Sequence, residues 1–202
     1  MKGILIDLII GAMFLINGCL KNPFATRHSE TPAGVTGTWE TPAAPETVIR
    51  NLLYSYNEKV LQNYQSCLAE NFGFSAPEDS IRAEGQGSGY LYYDWDKNAE
   101  VLAAQNIFSI FNSSGHHLDL NLIESINNPD SVGDTVAVLY REYTIRIIQA
   151  ASLGPDTTTA KGLATFRLNQ AQFDLWSIYF WQDLPDTVGG YGWGKFKAMY
   201  RQ

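Results

Sequence analysis

Two adjacent carboxylates, Glu78 and Asp79, follow Pro77. A carboxylate moves protons near neutral pH only where an apolar pocket raises its pKa and a hydrogen-bond donor stands beside it. Tyr54 or Tyr56 can supply that donor. Pro77-Glu78-Asp79-Ser80 also reads as a solvated, Pro-bounded turn, and the turn is the preferred reading. His116-His117 is the one histidine pair. Neighbours on a strand point to opposite faces and no third Cys or His lies nearby in sequence, so no metal site is expected. Gly85-Gln86-Gly87-Ser88-Gly89 lacks the Lys-Ser/Thr of a phosphate loop and does not join a strand to a helix. No Gly-x-Ser-x-Gly elbow or nucleophile–base set appears, and no cofactor is expected.

The aromatic load carries more information: ten Phe, eleven Tyr and five Trp. Tyr140, Tyr143 and Trp176 fall in strand-like stretches where a sheet can line a cavity, and they are the candidate pocket. Core packing is the alternative reading, and it accounts for most of the rings. Buried Tyr and Trp need partners for their polar atoms, so a few rings are expected at a wet or ligand-filled mouth. Trp176 and Trp181 are five residues apart, and a regular strand sends them to opposite faces.

Cys19 has a different chemistry. Lys2 and the apolar run Ile4–Ile16 lead into Ile16-Asn17-Gly18-Cys19. The run is shorter than the roughly 20 residues of a membrane-spanning helix and suits the h-region of a secretion signal. The tetrapeptide resembles the bacterial lipobox, in which a small residue precedes a cysteine that is acylated. Residues 1–18 are therefore expected to be removed as a lipoprotein signal peptide, leaving lipidated Cys19 as the anchor. Residues 19–44 are rich in Thr, Pro, Gly and Ala and read as a flexible tether reaching about 25–30 Å. The expected location is the bacterial cell envelope. Leu20 in place of Asp after the cysteine favours the outer membrane.

Residues 45–202 suffice for one domain with a core. A formal charge of −7 disfavours nucleic acid as a partner, since nucleic acid requires a basic face. The expected partners are the membrane, through the lipid on Cys19, and a small molecule or envelope protein. Cys67 sits in an apolar pattern and reads as a core residue.

The elements that must position these residues follow from periodicity. Pro45-Glu46-Thr47 opens a helix, and Val48, Ile49, Leu52, Leu53, Tyr56 and Val60 continue it at helical spacing. Tyr64, Cys67, Leu68 and Phe72 form a second helical stripe. Phe72 to Ala76 is strand-like. Asp94 caps a third helix from Trp95 to about Phe111, with Val101, Leu102, Gln105, Phe108 and Ile110 towards the core. The period then becomes two: Leu118, Leu120 and Leu122 mark a strand. Thr135–Ala150 is a long strand whose blurred alternation implies a bulge near Arg141. Two further strands cover Gly162–Leu168 and Phe173–Leu184. Three helices followed by four strands in meander order read as α+β, with helices on one face of a curved antiparallel sheet.

The first-helix stretch ending in YSYNEKVLQNYQSCLAENFGF, the segment WSIYFWQDL and the tail Trp193-Gly194 with Lys197-Ala198 resemble the nuclear-transport-factor-2-like (SnoaL-like) superfamily. They are most similar to uncharacterised bacterial lipoproteins of that fold. The resemblance covers nearly all of residues 45–202. It implies a cone-shaped, cystatin-like α+β domain in which a sheet wraps three helices and leaves a pocket at its wide end. Val60 departs from the Asp that often caps the second helix in such proteins. The fold hosts enzymes, binding modules and interaction domains alike, and homodimers formed through the sheet are common in it. Some isomerases of the superfamily place a general base near the position of Glu78-Asp79.

Three readings follow. The first is a non-catalytic, lipid-anchored module that binds a small apolar ligand or an envelope partner. The second is a SnoaL-like isomerase or hydrolase working through a pocket carboxylate. The third is a subunit of a surface or envelope assembly. A buried carboxylate beside a Tyr hydroxyl favours the second, and an apolar or filled cone favours the first.

Overall fold

The computed structural model describes residues 37–151, 154–170 and 174–201. The signal segment, Cys19 and the tether as far as residue 36 lie outside the described residues. The end of the expected tether packs on the domain. Trp39 lies against the core, the Asn51 side chain donates to the Glu40 carbonyl and accepts from its N–H at 2.7 and 2.9 Å, and Trp176 N donates to Pro42 O at 2.8 Å.

Pro45 stands in the first turn of α1 (Pro45–Glu58), which buries Val48, Ile49, Leu52 and Tyr56. Lys59 ends it at a left-handed φ of 56°. Helix α2 (Leu61–Ser66) is shorter than its apolar stripe implies. Buried Cys67 closes it by donating its thiol to Asn63 O at 3.3 Å. From Leu68 the chain is extended as β1 (Leu68–Ser75), because Phe72 and Phe74 alternate with Gly73 and Ser75 and bury one face. Leu68 and Phe72 thus belong to a strand, not to the expected second helix.

Pro77 opens a helix, α3 (Pro77–Gly85), and not the solvated turn that the sequence suggests. Pro at the first position with acidic residues in the first turn is a helix start, and burial of Asp79 and Ala83 against the rest of the domain fixes it. After a short 3₁₀ turn at Gly89–Tyr92 comes α4 (Lys97–Phe111). Its cap is Asp96, whose Oδ1 accepts from Ala99 N at 2.9 Å. Asp94, the expected cap, instead bends the chain at φ 47°. The buried face of α4 holds Glu100, Ala103, Ala104, Ile107, Phe108 and Phe111, while Leu102 and Ile110 are exposed. Its inward stripe is rotated from the expected one because the face must include a charged residue.

Strands β2 (His117–Glu124), β3 (Ser131–Val132), β4 (Val136–Gln149), β5 (Asp156–Gln170) and β6 (Trp176–Pro185) follow. The sheet order is β1-β6-β5-β4-β2, with β3 pairing on β4. All pairs are antiparallel except β1 with β6. The free edge of β2 is covered by α1: Asn57 exchanges hydrogen bonds with Leu120 at 2.7 and 2.9 Å. Unpaired edges left open invite aggregation.

Strand β4 has no bulge at Arg141. Its register with β2 and β5 is unbroken, and its inward face runs Ala137, Leu139, Arg141, Tyr143, Ile145, Ile147. The alternation looks blurred because a charge occupies one inward position. Buried Arg141 pairs with Glu46 of α1 and with Asp130. The bulge lies in β6: Arg167 faces Phe180 and Leu168 faces Ile178, so Tyr179 has no partner of its own on β5. The extra residue turns Trp176 and Trp181 to the same inward face, where they are 5 % and 0 % exposed. They do not lie on opposite faces. The last helix among the described residues is α5 (Trp193–Ala198), whose Trp193, Gly194, Phe196, Lys197 and Ala198 are all buried.

Candidate functional site

Helix α5 occupies the inside of the sheet, and remote side chains hold it there. The first N–H groups of any helix lack intrahelical partners. Here Trp193 N donates to the Tyr143 hydroxyl and Gly194 N to Asp183 Oδ2, both at 2.7 Å. The Trp193 indole donates to the Tyr56 hydroxyl of α1 at 3.1 Å and packs edge-on against Trp181, with centroids 4.4 Å apart. Gly194 is required by close approach. A Cβ there would stand deep inside the contact distance of the Ala76 Cβ and 3.2 Å from carboxylate oxygens of both Asp79 and Asp183.

Lys197 reaches the centre. It is 1 % exposed, with its ammonium 3.4 Å from the Phe74 ring centroid and 3.6 Å from that of Trp181. Both oxygens of fully buried Glu100 accept from it, at 2.9 and 3.0 Å. Glu100 is itself held by the Tyr64 hydroxyl and by the Trp95 indole at 2.7 Å. Burial pushes the Lys197 pKa down to about 8 while Glu100 pulls it back.

Beside α5 lies a buried acidic pair. Asp183 is fully buried, and burial raises its pKa to about 6 against the pull of the Gly194 amide and the Tyr143 hydroxyl. Asp79 is 3 % exposed and burial raises its pKa, with the Arg82 charge opposing. The Arg82 guanidinium stands 3.8 Å away and neither Asp79 oxygen completes a hydrogen bond. Asp79 walls a pocket of about 440 Å³ shared with Arg82, Tyr92 and Lys195. A second cavity, about 480 Å³, is a trough crossing β2, β4, β5 and β6. Outward-facing Asn121, Glu142, Thr144 and Lys161 supply its polar groups, and Leu163 and Leu184 its apolar floor.

The residues singled out in the sequence are dispersed over this arrangement. Tyr143 is buried, walls the trough and accepts from α5. Tyr140 lies on the opposite face of β4, where its N–H donates to Asp130 at 2.8 Å. Trp176 stands in a third depression with Trp39 and Pro42, so Tyr140, Tyr143 and Trp176 do not share one cavity. Glu78 walls the trough while Asp79 walls the smaller pocket. Tyr56 is engaged with Trp193, and Tyr54 is half-buried on α1. The tyrosine that shares a pocket with Asp79 is Tyr92. Sequence reasoning missed Glu100, Asp183 and Lys197 as a group. Asp183 and Lys197 stand in recognisable Trp-containing motifs, but nothing in those motifs announces burial.

No protein-family model matches the chain, and no curated protein matches it in sequence. Solved structures do match in fold. A nuclear transport factor 2-like superfamily protein from Salmonella enterica superposes with a TM-score of 0.50 at 15% identity, covering 74% of this chain and 99% of that one. A protein from Kribbella flavida gives 0.51 at 11% identity, covering 69% and 86%. A conserved protein from Planctomyces limnophilus gives 0.50 at 12% identity, covering 69% and 93%. With helices on the inner face of a curved, unclosed sheet, this chain has the α+β fold of nuclear-transport-factor-2-like proteins.

Proposed function

We propose that this chain is a lipid-anchored protein of the cell envelope, held through acylated Cys19, most simply in the outer membrane, whose domain binds a ligand or an envelope partner and does not catalyse. One observation carries the reading: the space inside the sheet is filled by α5, with Trp193, Phe196 and Lys197 buried in it. Its acidic and basic groups, Asp183 and Lys197, are engaged by the chain itself. The trough beside it remains open. Ligand sites are mostly apolar with a few placed polar groups. Leu163 and Leu184 under Asn121, Glu142 and Thr144 suit a small ligand with an apolar body and a polar edge. To test this, the full chain is purified from its own membranes and bound small molecules are identified by mass spectrometry. A species carried by the wild type and lost in Leu163→Arg is expected. A species retained in Leu163→Arg moves the site elsewhere.

A second reading, a SnoaL-like isomerase or hydrolase, is favoured by Asp79. A buried carboxylate of raised pKa, with its nearest cation 3.8 Å away on Arg82, on a pocket wall shared with Tyr92 is what proton transfer needs. Loss of turnover of a carbon acid in Asp79→Asn, with Leu163→Arg unaffected, selects this reading over the first.

A further inference from the structure

We infer that the centre of this domain is a recognition site for a primary alkylammonium ion, which the chain fills in cis with Lys197. The walls of the site come from elsewhere in the fold. Phe74 belongs to β1, Trp181 to β6, and Trp95 precedes α4. Their ring centroids lie 3.4, 3.6 and 5.7 Å from the ammonium. The acceptor is likewise independent of α5, because Glu100 is positioned by Tyr64 and Trp95. Only the cation, with Trp193 at 5.9 Å, is brought by the C-terminal helix. Aromatic faces around a desolvated cation are the recognition geometry for organic ammonium groups. A carboxylate accepting from the nitrogen through both oxygens adds selectivity, since it requires N–H donors. The site therefore takes primary ammonium in preference to quaternary. A structural ion pair alone needs no such box, because buried pairs are often replaceable by apolar side chains of similar volume.

Truncating Lys197 to Ala removes three methylenes and the ammonium, which is n-propylammonium in shape and charge. The test titrates the full-length Lys197→Ala protein with n-propylammonium, 1-propanol and tetramethylammonium and follows the thermal midpoint. At a hundredfold excess over its Kd, propylammonium is expected to raise the midpoint by about 5 °C or more. The other two should not raise it, and adding Glu100→Gln should abolish the rise. The wild type should not respond, because its own Lys197 already fills the site from a docked, buried helix. Lys197→Met, which fills the space without charge, should not respond either. If Lys197→Ala fails to fold alone, refolding yield is the readout, and recovery with propylammonium but not propanol supports the inference. Equal effects of amine and alcohol, or no effect of amine on midpoint or yield, overturn it.

Discussion

Replacing Gly194 by Ala tests how tightly α5 is seated. The new Cβ would overlap the Ala76 Cβ and press to 3.2 Å on oxygens of both Asp79 and Asp183. Ala76, at the junction of β1 and α3, is 3 % exposed and has little room to yield. Overpacking of this kind costs about 1–3 kcal/mol. The better helix propensity of Ala offsets up to about 1 kcal/mol of that, leaving a net loss of about 0–2 kcal/mol with the full offset. Because the main clash is with a single methyl group, Ala76→Gly should relieve it. The double variant should then be more stable than the two single effects add up to, by about 1 kcal/mol. Urea unfolding of all four proteins, with m-values held equal as a check on the unfolded state, gives the cycle. A coupling near zero refutes the docking of α5 against the β1–α3 junction.

Trp181→Ala should cost about 3–5 kcal/mol by denaturant titration, since Trp181 is fully buried and touches Phe74, Phe166 and Trp193; a cost below 1 kcal/mol contradicts the inward turn made by the β6 bulge. Asp183 binds its proton more tightly folded than unfolded, with a pKa of about 6 against 3.8 for a free Asp side chain. Stability should therefore fall as pH rises from about 4 to 6, by up to roughly 3 kcal/mol at about 1.4 kcal/mol per pKa unit. Asp183→Asn should flatten that slope in unfolding curves collected across the window, with Asp79, whose pKa burial also raises, supplying the remainder; an unchanged slope assigns it to another group. Metabolic labelling with a palmitate analogue should tag the wild type and miss Cys19→Ala; equal labelling rejects the anchor.

The elements that a period alone specifies were legible: α1 from Pro45, the helix ending at Phe111, and the long strands around Leu118, Thr135–Ala150 and Phe173–Leu184. What misled was charge on inward faces. Arg141 interrupts the apolar alternation of β4, and the sequence reads it as a bulge because its partners, Glu46 and Asp130, are distant in the chain. Glu100 rotates the inward stripe of α4 in the same way. The real bulge, at Tyr179, carries no local signal, since Tyr179 and Phe180 are equally good strand residues. Pro77-Glu78-Asp79 fits a turn or a helix start equally well, and burial against the rest of the domain decides for the helix. The fold was also legible in the Trp-rich terminal motifs, but their role as a filling for the inner face was not. That role depends on Tyr56, Glu100 and Tyr143, which meet the tail only in three dimensions.

The central claim is that the inside of this fold is closed by its own C-terminal helix, and hydrogen exchange at Trp193 measures it most directly. Chain termini ordinarily fray at almost no free-energy cost. The Trp193 backbone N–H is bonded to Tyr143 at 2.7 Å and its indole N–H to Tyr56 at 3.1 Å. Both protons in the full-length wild type should exchange only through global unfolding, as slowly as the amides of central β5, and should accelerate with denaturant at the global m-value. Fast, denaturant-independent exchange at Trp193 while β5 stays protected would show α5 open, leaving the inner face free for a substrate or ligand and contradicting the account.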